Sequence, residues 1–363
     1  MIRSQQGAHV IGLFSCFIAF LPASLVSAAQ YSVSTVTEDG VKVVRLEDKS
    51  SRTSVWVAPS VGNIAFRMLV NGKNILWFPF KTVAEFKAKP QLCGIPLLAP
   101  WADRLDEAAF YANGKRYSFN LSLGNLHFDQ AGHPIHGFLS FASDWEVVKT
   151  EENSHGARLT SRLDVFRRAD WMAQFPFAHV IEITYTLADG VLEVHTRITN
   201  KSVDPMPLSI GYHSFYQISD TPRKNWTVSL GAATEWPSNH DLLPRGDTRR
   251  LQELVAHPEH FVLGDLSFDN VLADLIRDRE GRAVFVVAGR QQRIEVLYGP
   301  KFRAGEIWVP PGRDFLCFEP MVGINNAMNL AIAAFIKSFR AFLLVASGPK
   351  VSGSGPQGFE RLV

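Results

Sequence analysis

Apolar and polar positions alternate in short runs along most of this chain, the period of strands with one buried and one wet face. Residues 41–46 (VKVVRL) and 54–58 (SVWVA) read as strands, and Pro59, Ser60, Gly62 and Asn63 make a turn cluster behind the second. Asn71-Gly72 separates the apolar runs 66–70 and 75–78, and Asn113-Gly114 separates 109–111 from 116–119. Asn and Gly accept positive φ, so both dipeptides predict hairpin turns. A third hairpin joins 180–187 to 191–198 through Asp189-Gly190, with Ile181, Ile183 and Tyr185 alternating against Glu182, Thr184 and Thr186. Residues 283–287 and 293–297 continue the pattern. Helical periodicity is scarce: 82–89 fits one short helix and 326–342 a second. Many short strands between regular turns predict an all-β sandwich or barrel. The stretch 201–207 reads as a loop inside the sheet system, so residues 29–363 are taken as one domain.

Residues 1–28 follow a different rule. Arg3 gives a positive start, 10–26 is largely apolar, and Val26-Ser27-Ala28 ends in small residues. That is the three-part pattern of a secretory signal peptide. The apolar stretch falls short of the ~20 residues of a membrane span. The expectation is an exported protein, periplasmic or secreted, that begins near Ala29 and has no stable membrane association after leader removal.

Composition changes the picture in three places. The hydrophobic fraction of 46% supplies a core, and the 37 basic and 35 acidic side chains nearly balance. A phosphate-tracking surface needs a basic excess, so nucleic acid is not an expected partner. Beyond the leader only Cys93 and Cys317 remain, which is no disulfide framework, and no Cys/His spacing suggests zinc. The two are read as buried free thiols, with pairing in an oxidising compartment as the alternative.

Four clusters could carry chemistry. In Pro96-Leu97-Leu98-Ala99-Pro100-Trp101-Ala102-Asp103-Arg104, prolines and a Trp break the strand pattern just before an Asp-Arg pair. It reads either as a stiffened loop with a surface ion pair or as a binding loop. His133-Pro134-Ile135-His136-Gly137 closes a polar loop, where the histidines could hold a metal, move protons or do neither. In Gly211-Tyr212-His213-Ser214-Phe215 a histidine sits among aromatics, either as a core residue satisfied by a carbonyl or as a group whose pKa is moved by its surroundings. In Phe315-Leu316-Cys317-Phe318-Glu319-Pro320 a carboxylate lies in an apolar strand-like run. Burying it unpaired costs several kcal/mol, so Glu319 needs a partner or a purpose and stands out as a candidate base. A nucleophile elbow and a phosphate loop are both missing from the sequence, which leaves proton transfer without covalent chemistry.

In order and spacing these clusters resemble the aldose 1-epimerase (galactose mutarotase-like) family, whose members carry an Arg in an early loop, a His before Gly, a second His beside an aromatic, and a late Glu-Pro. Here those positions are Arg104, His136-Gly137, His213 and Glu319-Pro320, and Phe268-Asp269-Asn270-Val271 resembles the stretch with the family's substrate-binding Asp. The likeness covers about 35–330. It implies a large antiparallel β-supersandwich with few short helices, and interconversion of the α and β anomers of a free aldose without metal or organic cofactor. By the same resemblance Glu319 is the base at the anomeric hydroxyl and His213 the acid at the ring oxygen. His136 supports the developing charge or positions the sugar, while Arg104 and Asp269 hold hydroxyls. Such a pair must work with the Glu ionised and the His cationic. Apolar flanks oppose that state and mutual attraction favours it.

The chain departs from the family at several points. Asp103 stands where Asn is usual, Ser214 where Pro is common, and Asn325 and Asn326 where small residues or Pro are frequent. The closing strand expected of the family is not recognisable in the atypical tail, 331–363, which runs through FIKSFRAFLLV at 335–345 into Gly/Ser/Pro-rich 347–358. An altered or frame-shifted C-terminus would leave a sheet edge without its partner. A hexose-6-phosphate epimerase, a non-catalytic carbohydrate-binding sandwich and a plain interaction domain are the other readings.

Overall fold

The computed structural model describes residues 30–330 and the backbone of 334–336 and 338–347. The leader 1–28 and the Gly/Ser/Pro-rich end of the tail lie outside the described residues. Among the described residues the regular secondary structure is mainly strand, with two six-residue α-helices, Val83–Ala88 and Ala169–Gln174. The first is the short helix expected at 82–89. Thr82 caps it, its hydroxyl accepting the Glu85 N–H at 3.1 Å. No helix among these residues is long and apolar enough to cross a membrane.

Every ladder between extended strands is antiparallel. Tyr31–Glu38 through Lys73–Asn74 form a five-stranded meander in chain order. A nine-stranded sheet holds Glu146–Asn153, Gly156–Asp164, His179–Ala188 and Val191–Asn200 on one side, and Arg293–Tyr298 and Ala283–Ala288 on the other. An eight-stranded sheet carries the run Phe268–Leu275, Ala304–Val309, Leu316–Met321, Gly211–Tyr212 and Leu97–Leu98, with Ser214–Tyr216 also paired to Leu316–Met321. The expected hairpins form at Asn113-Gly114 and Asp189-Gly190. At Asn71-Gly72 the second arm is only Lys73–Asn74, after which Leu76 crosses to bridge Tyr216.

The period-2 rule places the core and the cavity on opposite faces of the eight-stranded sheet. Phe268, Leu272, Ile307, Val309, Leu316 and Phe318 point to the main core. There Phe318 meets Phe285 of the nine-stranded sheet at 5.7 Å. The alternate residues Asp269, Glu306, Trp308, Glu319 and Phe215 line a cavity on the other face.

Two expectations for the end of the chain are corrected. Residues 326–330 are turns and no helix runs from 326 to 342; the backbone instead forms strands Ala334–Ile336 and Ser338–Ser347. Nor is a partner strand missing: Ser338–Ser347 runs between Val191–Asn200 and Arg293–Tyr298, paired on both sides.

Candidate active site

The cavity, about 400 Å³, is lined by all five candidate residues, Arg104, His136, His213, Asp269 and Glu319 among them. They come from chain segments more than 200 residues apart, and the sheet register brings them together. Glu306 lies directly opposite Glu319, and Trp308 opposite both Asp269 and Cys317. Ser214 pairs with Phe318 and Gly211 with Met321. Between those pairs the ladder breaks, because Pro320 has no N–H to donate. His213 falls in that gap and gives its own N–H to the Pro96 carbonyl at 3.1 Å. Its Nε2 stands 3.3 Å from Glu319 Oε1.

Two glycines make this convergence possible. Gly137, at φ 64°, packs its backbone on the Ala99-Pro100 peptide, where an added Cβ would sit 2.0 Å from the Ala99 carbonyl oxygen. Phe138 and Leu139 both donate to that oxygen, and His136 N–H donates to the Asp103 carbonyl at 3.0 Å, so the His136 loop and the Arg104 loop are laced together. Gly211 admits Ala102 and the Pro320 carbonyl at 2.9 Å from where its Cβ would stand.

Arg104 is the electrostatic centre. Its Nη1 donates to Asp103 Oδ1 and its Nε to Asp129 Oδ2, each at 2.8 Å, and Nη2 reaches toward Asp269 Oδ2 at 4.0 Å. The ion pair is therefore not the surface pair that loop sequence suggested: the side chains of Arg104 and Asp103 are 11% and 2% exposed. A second brace comes from the segment where Asn325 and Asn326 depart from the family pattern. Asn325 Oδ1 accepts the Arg104 N–H at 3.2 Å, Asn326 N–H donates to the Arg104 carbonyl at 2.8 Å, and Asn326 Oδ1 accepts the Asp106 N–H at 3.1 Å.

Burial decides the protonation question that sequence left open. Desolvation, with the Arg104 charge assisting, pushes the His213 imidazole down to about 3. Burial, with Asp103 and Asp269 nearby, raises the Glu319 carboxyl well above its ordinary value against the pull of Arg104. Each member of the pair thus favours its neutral form, in which the pair carries one proton, on the Glu319 carboxyl. His136 is also held neutral, by burial first and then by His213, Arg104 and His127. Its Nδ1 accepts the Asp103 N–H at 3.2 Å, so its proton resides on Nε2, a donor.

Sequence reading missed three parts of the site. Asp129 anchors Arg104, Glu306 faces Glu319, and Trp77, Phe215, Trp308 and Phe315 form an aromatic wall with centroids 4.3–6.1 Å apart. Phe215 stacks on the His213 ring at 4.5 Å and 7°, fixing its plane. Glu306 had a legible signal, a carboxylate in the strand-like run AGEIWV, the same reasoning that singled out Glu319. His213, Cys317 and Glu319 also bring nitrogen, sulfur and oxygen donors within 4.8 Å of one another, a grouping that chain spacing hides. Burial, with Glu319 and Glu306 nearby, keeps the Cys317 thiol protonated, which disfavours it as a ligand. Cys93 and Cys317 are both buried and unpaired.

Comparison with known proteins bears on the family and the fold. Residues 43–334 match the family model described as aldose 1-epimerase. Solved structures sharing the fold include a galactose mutarotase-like protein from Clostridium acetobutylicum, at 20% identity and TM-score 0.76 over 87% of this chain and 98% of that one. A protein from Synechocystis sp. PCC 6803 matches at 24% identity and TM-score 0.67, over 87% and 98%. Galactose 1-epimerase from Lactobacillus acidophilus NCFM matches at 13% identity and TM-score 0.70, over 88% and 99%. At these identities the structural matches speak for the fold alone.

Proposed function

The chain belongs to the aldose 1-epimerase family, and from that premise we propose that it interconverts the α and β anomers of a free aldose by proton transfer. The observation that carries this reading is the His213 Nε2–Glu319 Oε1 approach of 3.3 Å inside a sugar-sized cavity.

The cycle needs Glu319 ionised and His213 protonated, while burial favours the reverse. Both states hold one proton, so moving it from carboxyl to imidazole reaches the working form without exchange with solvent. Glu319 then removes the proton from the anomeric hydroxyl as His213 protonates the ring oxygen. The C1–O5 electrons pass to O5, and O1 becomes the carbonyl oxygen of the open aldehyde. Rotation about C1–C2 and reclosure with roles reversed give the other anomer and restore the pair. Both protons move between protein and sugar, so the cycle uses no metal or organic cofactor. A placed acid and base each contribute about 10²–10⁴-fold. His136 Nε2–H, Arg104 Nη2 and Asp269 are the hydroxyl ligands in this reading, and the aromatic wall takes the apolar face of the ring.

Charge in the cavity supports a neutral sugar. Asp103, Asp269, Glu306 and Glu319 face Arg104 and Arg313, and Arg104 is already held by Asp103 and Asp129. A phosphate would find Arg104 already committed to carboxylates, which leaves little free positive charge to hold it. Residues 1–28 are read as an export leader, which sets the activity outside the cytoplasm. Arg313, exposed at the rim, is the one feature that favours a hexose 6-phosphate instead. Polarimetry of freshly dissolved α-glucose, α-galactose and α-glucose 6-phosphate decides. Faster equilibration of the neutral sugars is expected, and acceleration of the phosphate alone would overturn the substrate assignment. Binding of sugars without any acceleration would leave a carbohydrate-binding protein.

A further inference from the structure

Asp103 and Glu306 present a problem that the proposed cycle does not use. Both carboxyl groups are buried, at 1% and 5% exposure, and both face the cavity. Asp103 Oδ1 is taken by Arg104, but Asp103 Oδ2 and Glu306 Oε2 have no N–H or ordinary O–H donor. Two ionised carboxylates cannot share such a place, and a buried oxygen left without a partner costs about 1–3 kcal/mol. A single proton held between the two side chains removes both difficulties: a side-chain hydrogen bond links Glu306 with Asp103, and a second links it with the more exposed Asp269.

We propose that Glu306 is a positioning residue that stays protonated and donates to Asp103, fixing Asp103 on Arg104 so that Nη2 faces the sugar. This deepens the epimerase reading and rests on it for the role of Arg104. It also accounts for the departure at 103. An amide there would bring its own N–H, whereas the carboxylate Asp103 must find a protonated neighbour. Burial and the neighbouring carboxyl groups favour the acid form of Glu306, against the pull of Arg104. Asp103 and Arg104 face it from the loop, Glu319 and Cys317 from one neighbouring strand, Asp269 from the other, and Tyr298 from the sheet below. Arg104 is the only cation in that set, and Asp103, Asp129 and Asp269 surround it.

The test compares wild type with Glu306→Gln and Glu306→Ala across pH 5–10, using thermal midpoint without sugar and KM against kcat by polarimetry. A glutamine amide donates to Asp103 at every pH; alanine donates at none. Wild-type stability is expected to fall as pH rises and the shared proton leaves, because the unfolded state has already released it. KM should rise about tenfold or more over the same interval as Arg104 loses its anchor. Glu306→Gln should remove this part of the stability slope and flatten KM, while Glu306→Ala should show a raised KM at all pH values. Equal slopes for wild type and Glu306→Gln would overturn the proposal, as would a Gln variant no better than Ala. The sugar-free arm reads the proton directly, so absence of epimerase activity would sink the functional reading and leave this arm intact.

Discussion

Asp129 offers a test in which one atom's role separates from its neighbour's. Its Oδ1 accepts the Ala131 and His133 N–H groups at 3.0 and 2.8 Å and so holds the loop. Its Oδ2 takes Arg104 Nε at 2.8 Å and lies 3.5 Å from His133 Nδ1. Asp129→Asn keeps an oxygen for the loop amides but turns an NH₂ toward Arg104, donor against donor. The loss is one charge-assisted hydrogen bond at a mostly buried guanidinium, about 2 kcal/mol, because Asp103 still compensates the charge. For a chain of 363 residues that lowers the thermal midpoint by roughly 3 °C. Asp129→Ala loses the loop bonds as well and should fall further. In polarimetric kinetics the Asn variant should raise KM more than it lowers kcat, since in the proposed cycle Arg104 holds sugar and moves no proton. A Tm and KM for Asp129→Asn equal to wild type would refute the anchoring argument, and so would an Ala variant no worse than Asn.

Gly137→Ala places a Cβ 2.0 Å from the Ala99 oxygen, whereas Gly124→Ala, at nearly the same φ of 62°, meets nothing within 4 Å. Both carry the left-handed cost of about 1–2 kcal/mol, so chemical denaturation should show Gly137→Ala the worse by the clash alone. The Glu319–His213 pair shapes stability against pH through its ordinary values of 4.5 and 6.5. Between those values one proton is bound whether the chain is folded or not, so the pair adds no slope. Below 4.5 the unfolded state binds a second proton and stability falls toward the folded His213 value of about 3. Above 6.5 only the folded state keeps the proton, and stability falls as pH rises. Thermal midpoints of His213→Asn should lose the acid limb and those of Glu319→Gln the alkaline limb, with the limbs unchanged as the contrary result. Cys93 and Cys317 should resist a maleimide until the chain is unfolded, because both are buried and burial holds both thiols protonated. Rapid native labelling would contradict their packing.

The sheet system was legible because its signals are local. Hairpin dipeptides and period-2 alternation identify Ala109–Ala112 with Lys115–Ser118, and His179–Ala188 with Val191–Asn200, without knowledge of neighbours. The end of the chain misled because 326–342 is apolar with a spacing that a helix also satisfies, and only pairing on both sides makes Ser338–Ser347 a strand. At the site, Glu319 was readable from its apolar flanks, as one residue in an environment that demands an explanation. Glu306 obeyed the same rule and was overlooked. Asp129 carried no such mark: it sits in a polar loop, and its importance comes from a contact with Arg104 across 25 positions. The protonation of the Glu319–His213 pair depends on burial at both ends, a tertiary quantity that local composition does not contain.

The central claim concerns a proton donor and acceptor acting together on a sugar ring. The most direct measurement is the polarimetric equilibration rate of α-glucose or α-galactose with wild type and with Glu319→Gln, alongside sugar binding by calorimetry. Glu319→Gln should bind sugar within a few-fold of wild type yet lose at least about 100-fold in rate. A Glu319→Gln protein that equilibrates the anomers as fast as wild type would contradict the account.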